Sequence, residues 1–175
     1  MSLKNHKTLL ALLIAAGAAG AAQAEGLYVG GSIGAPDYHD PISGVDGSGR
    51  GVGLKLYGGY QLSPYLGFEG GYFDLGHIKN AVGEVRSRGL FVDAVGRYEF
   101  VPQWSLLGSA GVAEGRFTGP SGTDWSPAVK LGVGLQYDLS KTVALRATYD
   151  RYHFTSAYDN NANIGQTTVG VKVNF

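Results

Sequence analysis

The chain ends in TTVGVKVNF, residues 167–175, and this stretch alternates apolar and polar side chains without a break. Val169, Val171, Val173 and Phe175 share one parity, and the residues between them are glycine or polar. Because successive side chains of a β-strand point to opposite faces, this period of two predicts a strand with one apolar face. A terminal aromatic residue has no obvious use in a soluble domain, whose ends usually fray. The pattern therefore indicates that the last residue is part of the fold.

Seven similar runs precede this one, so the sequence predicts eight strands and no helix of regular period. The eight runs begin near Leu27, Val52, Leu66, Leu90, Trp104, Val129, Val143 and Thr167. Three short turns lie at residues 62–64, 101–103 and 139–141. Longer polar segments at 36–50, 75–85, 118–126 and 154–165 predict four long loops at the opposite rim. Short turns on one rim and long loops on the other are typical of outer-membrane barrels, whose short turns are periplasmic.

Alternation alone does not say which face points outward, because a soluble lipocalin-like barrel has the same period. Two features favour an apolar face turned to lipid. The polar face is rich in glycine and small residues, whereas a solvated surface favours Lys and Glu. The apolar-face aromatics also lie beside the short turns or the C-terminus, as an interfacial girdle requires. The girdle residues are Tyr60, Phe100, Trp104 and Tyr137, with Phe175. The predicted fold class is all-β, an eight-stranded antiparallel up-and-down transmembrane β-barrel.

The first 24 residues have the pattern of a cleaved secretory signal peptide. Lys4 and Lys7 precede an apolar run from Leu9 to Ala22, and Ala22-Gln23-Ala24 forms a small-x-small cleavage site. We expect residues 25–175 to form one outer-membrane barrel domain. Removal of Lys4 and Lys7 leaves 12 basic and 14 acidic residues, which gives no electrostatic case for nucleic acid. The chain has no cysteine, so it has neither disulfides nor thiolate metal sites.

The polar face lines the lumen in this interpretation, and it carries charges of both signs. By parity the predicted lumenal charge network is Lys55, Glu69, Asp93, Arg97, Lys130, Arg146, Asp150 and Lys172, joined by Glu99 and Asp138. Charges withdrawn from water are tolerated when they are paired. A balanced set in so narrow a barrel predicts a lumen plugged by salt bridges, centred on Glu69 with Lys55 or Arg146. An ion-conducting small pore remains the alternative, since ion pairs can rearrange.

The chain resembles the OmpA-like transmembrane barrel family, including its barrel-only OmpX and opacity members. The resemblance rests on residues 67–76, 132–139 and 145–152. The end of the chain resembles the family's sorting signal, which the barrel-assembly machinery reads, with Thr168, Gly170, Val173 and Phe175 at the matching positions. The resemblance implies that Glu69 and Arg146 are lumenal partners. It also implies a role in membrane integrity or adhesion. Full-length OmpA proteins continue into a peptidoglycan-binding domain, which we do not expect here because the sequence stops at Phe175.

We expect no catalytic residue, no cofactor and no metal site. An outer-membrane lipid A deacylase uses a Ser–His pair with an acid. The nearest match here is His153 with Thr155, Ser156 and Asp159, which lacks the required order of groups. A lipid A-modifying enzyme is therefore the remoter alternative. The expected partners are outer-membrane lipids and lipopolysaccharide. Arg86 and Arg88 are candidates to bind its phosphates, and solvated rim charges are the alternative interpretation of these two residues. The barrel-assembly machinery and a host or surface ligand are the other expected partners, and we expect a monomer.

Overall fold

In the computed structural model the described residues are 26–38, 52–80, 83–119, 122–157 and 160–175, with side chains described at 26–37, 52–76, 87–116, 125–154 and 163–175. They form eight strands. Their bounds are β1 Leu27–Tyr38, β2 Gly53–Ser63, β3 Leu66–Asn80, β4 Gly83–Val101, β5 Trp104–Gly119, β6 Gly122–Asp138, β7 Val143–Ala157 and β8 Asn160–Asn174. None of the described residues belongs to a helix that could span a membrane. The predicted signal peptide lies outside the described residues.

The strands form one closed barrel in which each strand pairs antiparallel with its neighbours in sequence. Closure comes from β1 and β8, where Gly31 lies opposite Val171 and Ser32 lies opposite Gly170. The last residue belongs to this seam, because the Phe175 backbone N–H donates to the Leu27 carbonyl at 2.9 Å. A closed barrel has no unpaired edge, which is the condition for crossing a membrane with strands. The predicted fold class is confirmed.

The two faces of the wall differ as the alternation predicts. Outward apolar side chains are exposed, for example Leu90 at 63% and Val133 at 61%, whereas inward Lys130 is 0% exposed. The outward set also includes the aromatics beside the short turns. Tyr60, Phe100 and Trp104 are exposed, and the Trp104 ring lies 4.9 Å from that of Tyr137. Apolar residues therefore cover most of the surface that meets lipid, and the paired charges of the network face the lumen.

Three of the four predicted long loops are wrong in extent. β3 and β4 continue their ladder through residues 75–85 to the pair Asn80 and Gly83. β5 and β6 likewise reach Gly119 and Gly122, and β7 and β8 reach Ala157 and Asn160. These segments are polar and glycine-containing because they need no apolar face beyond the lipid, yet their backbones still pair. Most of the fourth segment, 36–50, lies outside the described residues.

Candidate functional site

The centre of the lumen holds a chain of alternating charges drawn from four strands. Lys130 of β6 contacts Asp93 Oδ2 of β4 and, at 2.7 Å, Asp150 Oδ1 of β7. Lys55 of β2 donates to Asp150 Oδ2 at 2.9 Å. All four side chains are buried. One ammonium thus bridges two carboxylates and one carboxylate bridges two ammoniums, so that each charge has an opposite partner.

Glycines on neighbouring strands make room for this chain of charges. Gly111 on β5 pairs with Asp93 on β4 and with Lys130 on β6, and Gly132 on β6 pairs with Asp150 on β7. A Cβ at Gly111 would collide with the Asp93 carboxylate and the Val92 carbonyl oxygen. A Cβ at Gly132 would collide with the Asp150 carboxylate. The inward glycines are therefore required by the ionic groups beside them.

A second buried ion pair lies nearer the short turns. Glu69 Oε1 accepts from Arg146 Nη1 and, at 3.0 Å, from the Tyr28 hydroxyl. Arg146 also donates through Nε and Nη2 to Gln136 Oε1, at 3.3 and 3.1 Å. The guanidinium carbon is 5.1 Å from the centre of the Tyr57 ring, within cation–π range. Glu69 therefore pairs with Arg146, and Lys55 pairs with Asp150.

The periplasmic mouth carries a third, partly hydrated group of charges. Arg97 donates to Asp138 at 2.6 Å, to Ser105 at 2.9 Å and to Glu99 at 3.3 Å. The Glu99 side chain is 53% exposed. Lys172 is buried, and its Nζ lies 3.9 Å from the centre of the Tyr28 ring. Among the side chains that the structure describes, no carboxylate pairs with Lys172.

An apolar layer, which the sequence analysis did not predict, lies on the extracellular side of the central charges. It consists of inward side chains at 0–2% exposure: Phe73, Leu75, Phe91, Tyr152, Phe154 and Ile164. The Phe73 and Tyr152 rings are 4.8 Å apart. Lys55 Nζ and Lys130 Nζ lie 4.9 and 5.0 Å from the centre of the Phe91 ring, so this ring joins the two layers. The signal was present in the sequence, because Phe73, Phe91 and Tyr152 share the parity of the lumenal charges.

Little free space remains between the layers. The cavity lined by Lys55, Glu69, Arg146 and Asp150 has a volume of about 10 Å³. A cavity needs roughly 10–15 Å³ to hold a single water molecule. The region of the lumen around these four side chains therefore has almost no free space.

His153, the histidine of the deacylase-like segment, lies apart from this network. His153 has the outward parity of β7, and its Nδ1 lies 2.8 Å from Asn163 Oδ1. The side chains of Thr155 and Ser156, and Asp159 as a whole, lie outside the described residues, as does the Arg86 side chain. No group of three or more His, Asp or Glu side chains among the described residues is arranged to hold a metal ion.

In the sorting segment, Thr168 is buried in the lumen and accepts or donates a 3.0 Å hydrogen bond with Thr148. Gly170 lies at the β1–β8 seam, where a Cβ would collide with the Gly31 carbonyl oxygen and with Ser32. Val173 and Phe175 have the outward parity. These placements give the segment a structural part in closing the barrel.

Residues 8–175 match the family model described as outer membrane protein beta-barrel domain. The chain belongs to this family. It is 30% identical over 167 residues to outer membrane protein A of Shigella flexneri, an alignment covering 82% of this chain and 47% of that protein. The chain thus spans about half the length of this family relative. The predicted OmpA-like membership is confirmed, and the protein is located in the outer membrane of a Gram-negative bacterium.

Solved structures of other outer-membrane proteins have the same fold. Neisserial surface protein A superposes with a TM-score of 0.72 at 20% identity, covering 86% of this chain and 98% of that one. The N-terminal barrel of Pseudomonas aeruginosa OprF gives 0.62 at 16% identity, with 86% and 98% covered. Ail, the attachment invasion locus protein of Yersinia pestis, gives 0.56 at 19% identity, with 86% and 99% covered. At these identities the likeness concerns the fold.

Proposed function

We propose that the protein is a closed, non-catalytic barrel that supports the integrity of the outer membrane and meets surface ligands through its extracellular rim. The observation that carries the proposal is the packing of the lumen, in which a buried charge network lies under an apolar layer. Such a barrel contributes a rigid wall rather than a path for solutes. Lipopolysaccharide and other outer-membrane lipids are its proposed partners along the wall, and it works as a monomer once the barrel-assembly machinery has inserted it.

The rim supports the surface part of the proposal. Trp125 is 57% exposed, and the Arg116 guanidinium lies 5.7 Å from the centre of its ring. Arg116 lies directly opposite Arg88 in the β4–β5 register. Two like charges placed side by side repel each other and can share an anionic group. Asp74 lies opposite Arg88, and Glu114 lies on the same face of β5 as Arg116, so the rim offers charges of both signs to a host or surface ligand.

Cells that lack the protein test the membrane role. We expect their outer membrane to admit a hydrophobic dye faster than that of the parent, and expression of the wild-type barrel to restore the barrier. Expression of a Lys172→Met variant in the deletion strain is the matched control. This variant removes a lumenal charge that has no carboxylate partner among the described residues. Unchanged dye entry in the deletion strain would count against a role in integrity.

Lipid A mass spectrometry tests the non-catalytic part. We expect cells with and without the protein to have the same lipid A masses. A mass change that depends on the protein and is lost in His153→Ala would replace the structural function by an enzymatic one.

A further inference from the structure

The lipid-facing surface of the barrel has a groove of about 660 Å³ across strands β4 to β7. Its floor consists of four small residues at paired positions, with Ala94 opposite Ala110 and Gly96 opposite Gly108. All four belong to the outward parity, which elsewhere carries exposed Val, Leu and aromatic side chains. The groove is therefore a shallow, open depression in the apolar band.

The fold itself does not require these two glycines. A Cβ at Gly108 would meet nothing within 4 Å, and a Cβ at Gly96 would have only the Gly108 carbonyl oxygen, at 3.7 Å. At the inward Gly111, in contrast, a Cβ would collide with backbone and with Asp93. Glycine inside a strand weakens it, and one of its uses is to let a ligand approach the backbone closely. The space above Gly96 and Gly108 thus fits a group from outside the chain.

An arginine with no carboxylate partner among the described residues lies on the rim of this groove. Arg151 is outward-facing and exposed, and its cross-strand neighbours are Leu131 and Gly165. On its own strand and face lie Tyr149 and His153. No described carboxylate forms an ion pair with Arg151. A guanidinium on the lipid-facing side is unfavourable unless an anion meets it.

Arg151 lies on the extracellular side of the groove, and the glycines of the groove lie on its periplasmic side. Arg151 lies in the half of β7 further from the short turns, which are periplasmic in such barrels. Gly96 and Gly108 lie closer to the short turn between β4 and β5. A lipid of the outer leaflet, with its headgroup up and its chains down, matches this order of charged and apolar parts.

We propose that the groove binds lipopolysaccharide through its lipid A part, with one acyl chain over Gly96 and Gly108 and a phosphate on Arg151. Guanidinium and phosphate form strong, charge-assisted hydrogen bonds. A second copy of the chain fits less well, because a two-fold dimer through this face would place two Arg151 side chains at the same depth. The inference rests on the proposed contact with outer-membrane lipid, and it is independent of whether the lumen is closed.

Native mass spectrometry of the refolded barrel tests the site, with lipid A and phosphatidylglycerol added in equal amounts. We expect lipid A adducts on the wild type. Arg151→Gln removes the charge and Gly108→Leu fills the groove, and each is expected to lower the adduct fraction at least tenfold. The matched controls are Lys141→Gln, an exposed charge on a short turn, and Gly70→Leu, an outward glycine outside the groove. Both controls are expected to bind within twofold of the wild type.

Three results would overturn the proposal. They are wild-type adduct fractions in both groove variants, equal uptake of phosphatidylglycerol and lipid A, and a dimer of the wild type that Gly108→Leu dissociates. Heat-modifiable gel mobility verifies that each variant is folded, and Ala110→Leu fills the same groove if Gly108→Leu does not refold. The lipid site and the closed lumen can fail separately. A barrel that conducts no current and binds no lipid A would contradict only this inference. A barrel that conducts current and binds lipid A would contradict only the closed lumen.

Discussion

The lumenal and lipid-facing sides of the barrel wall use glycine and basic residues in opposite ways. On the lumenal side, Gly111 and Gly132 leave space that the carboxylates of Asp93 and Asp150 occupy. On the lipid side, Gly108 leaves space that no protein atom occupies within 4 Å of a Cβ. Lys130 is held by two carboxylates, whereas Arg151 has no described carboxylate partner. The inward charges of the central network are thus paired within the protein, whereas the outward positions leave room for a group from the membrane.

The largest expected effect comes from removing the cation that links two carboxylates. Lys130→Met leaves Asp93 without a described cation, and Asp150 keeps Lys55 alone. Breaking a buried ion pair by removing one partner costs about 3–5 kcal/mol. We expect the free energy of unfolding in lipid vesicles, measured by urea titration, to fall by about this amount.

Lys172→Met is the matched control for that variant. It loses a cation–π contact with Tyr28, worth roughly 0.5–2 kcal/mol, and strands no described carboxylate. Equal losses of unfolding free energy in Lys130→Met and Lys172→Met would mean that the stability of the lumen does not depend on charge pairing.

The next largest effect is expected when an inward glycine and an outward glycine are each replaced by alanine. Gly111→Ala forces a methyl group against Asp93 and the Val92 carbonyl, and overpacking of this kind costs about 1–3 kcal/mol. Gly108→Ala meets open space and removes the strand-weakening freedom of glycine, so it is expected to stabilise by roughly 0.5–1 kcal/mol. Urea titration of the two variants side by side measures the difference. Equal changes in the free energy of unfolding would show that inward and outward glycines do not differ in this way.

The smallest effect concerns the hydrated mouth of the lumen. Glu99→Ala removes a 3.3 Å pair with Arg97, but Glu99 is half exposed and Arg97 keeps Asp138. Exposed ion pairs contribute about 0–1 kcal/mol. We expect a change in unfolding free energy of less than about 0.5 kcal/mol, further reduced at high salt. A loss comparable with that of Lys130→Met would show that the mouth belongs to the buried network.

Sequence alone predicted the strands and which face of each strand points outward. A lipid-facing surface must be apolar, so apolar residues occur at every second position of each strand. The sequence did not predict where β3 to β8 end at the extracellular rim, since backbone pairing there needs no alternation. The break between Asp74 and His77 illustrates this. A bulge with Gly76 at a φ of 74° interrupts the pattern, and Asp74 accepts the Gly76 N–H at 2.8 Å.

Parity placed the lumenal charges, but it could not assign their partners. Lys55 and Asp150 are 95 residues apart on β2 and β7 and meet across the lumen. Which inward residues meet in this way depends on the stagger of the closed sheet, and an alternating pattern does not encode that stagger. The parity of Phe91 and Tyr152 places both rings inside, but parity alone does not show that they pack with residues of other strands into one layer.

The most direct test of a packed, charge-paired lumen is the conductance of the refolded wild-type barrel in a planar bilayer. With the charge network and the apolar layer packed together, we predict no discrete current steps above those of a protein-free bilayer. Reproducible steps whose size changes in Glu69→Ala would contradict a packed lumen, because ions would then pass through the charge network.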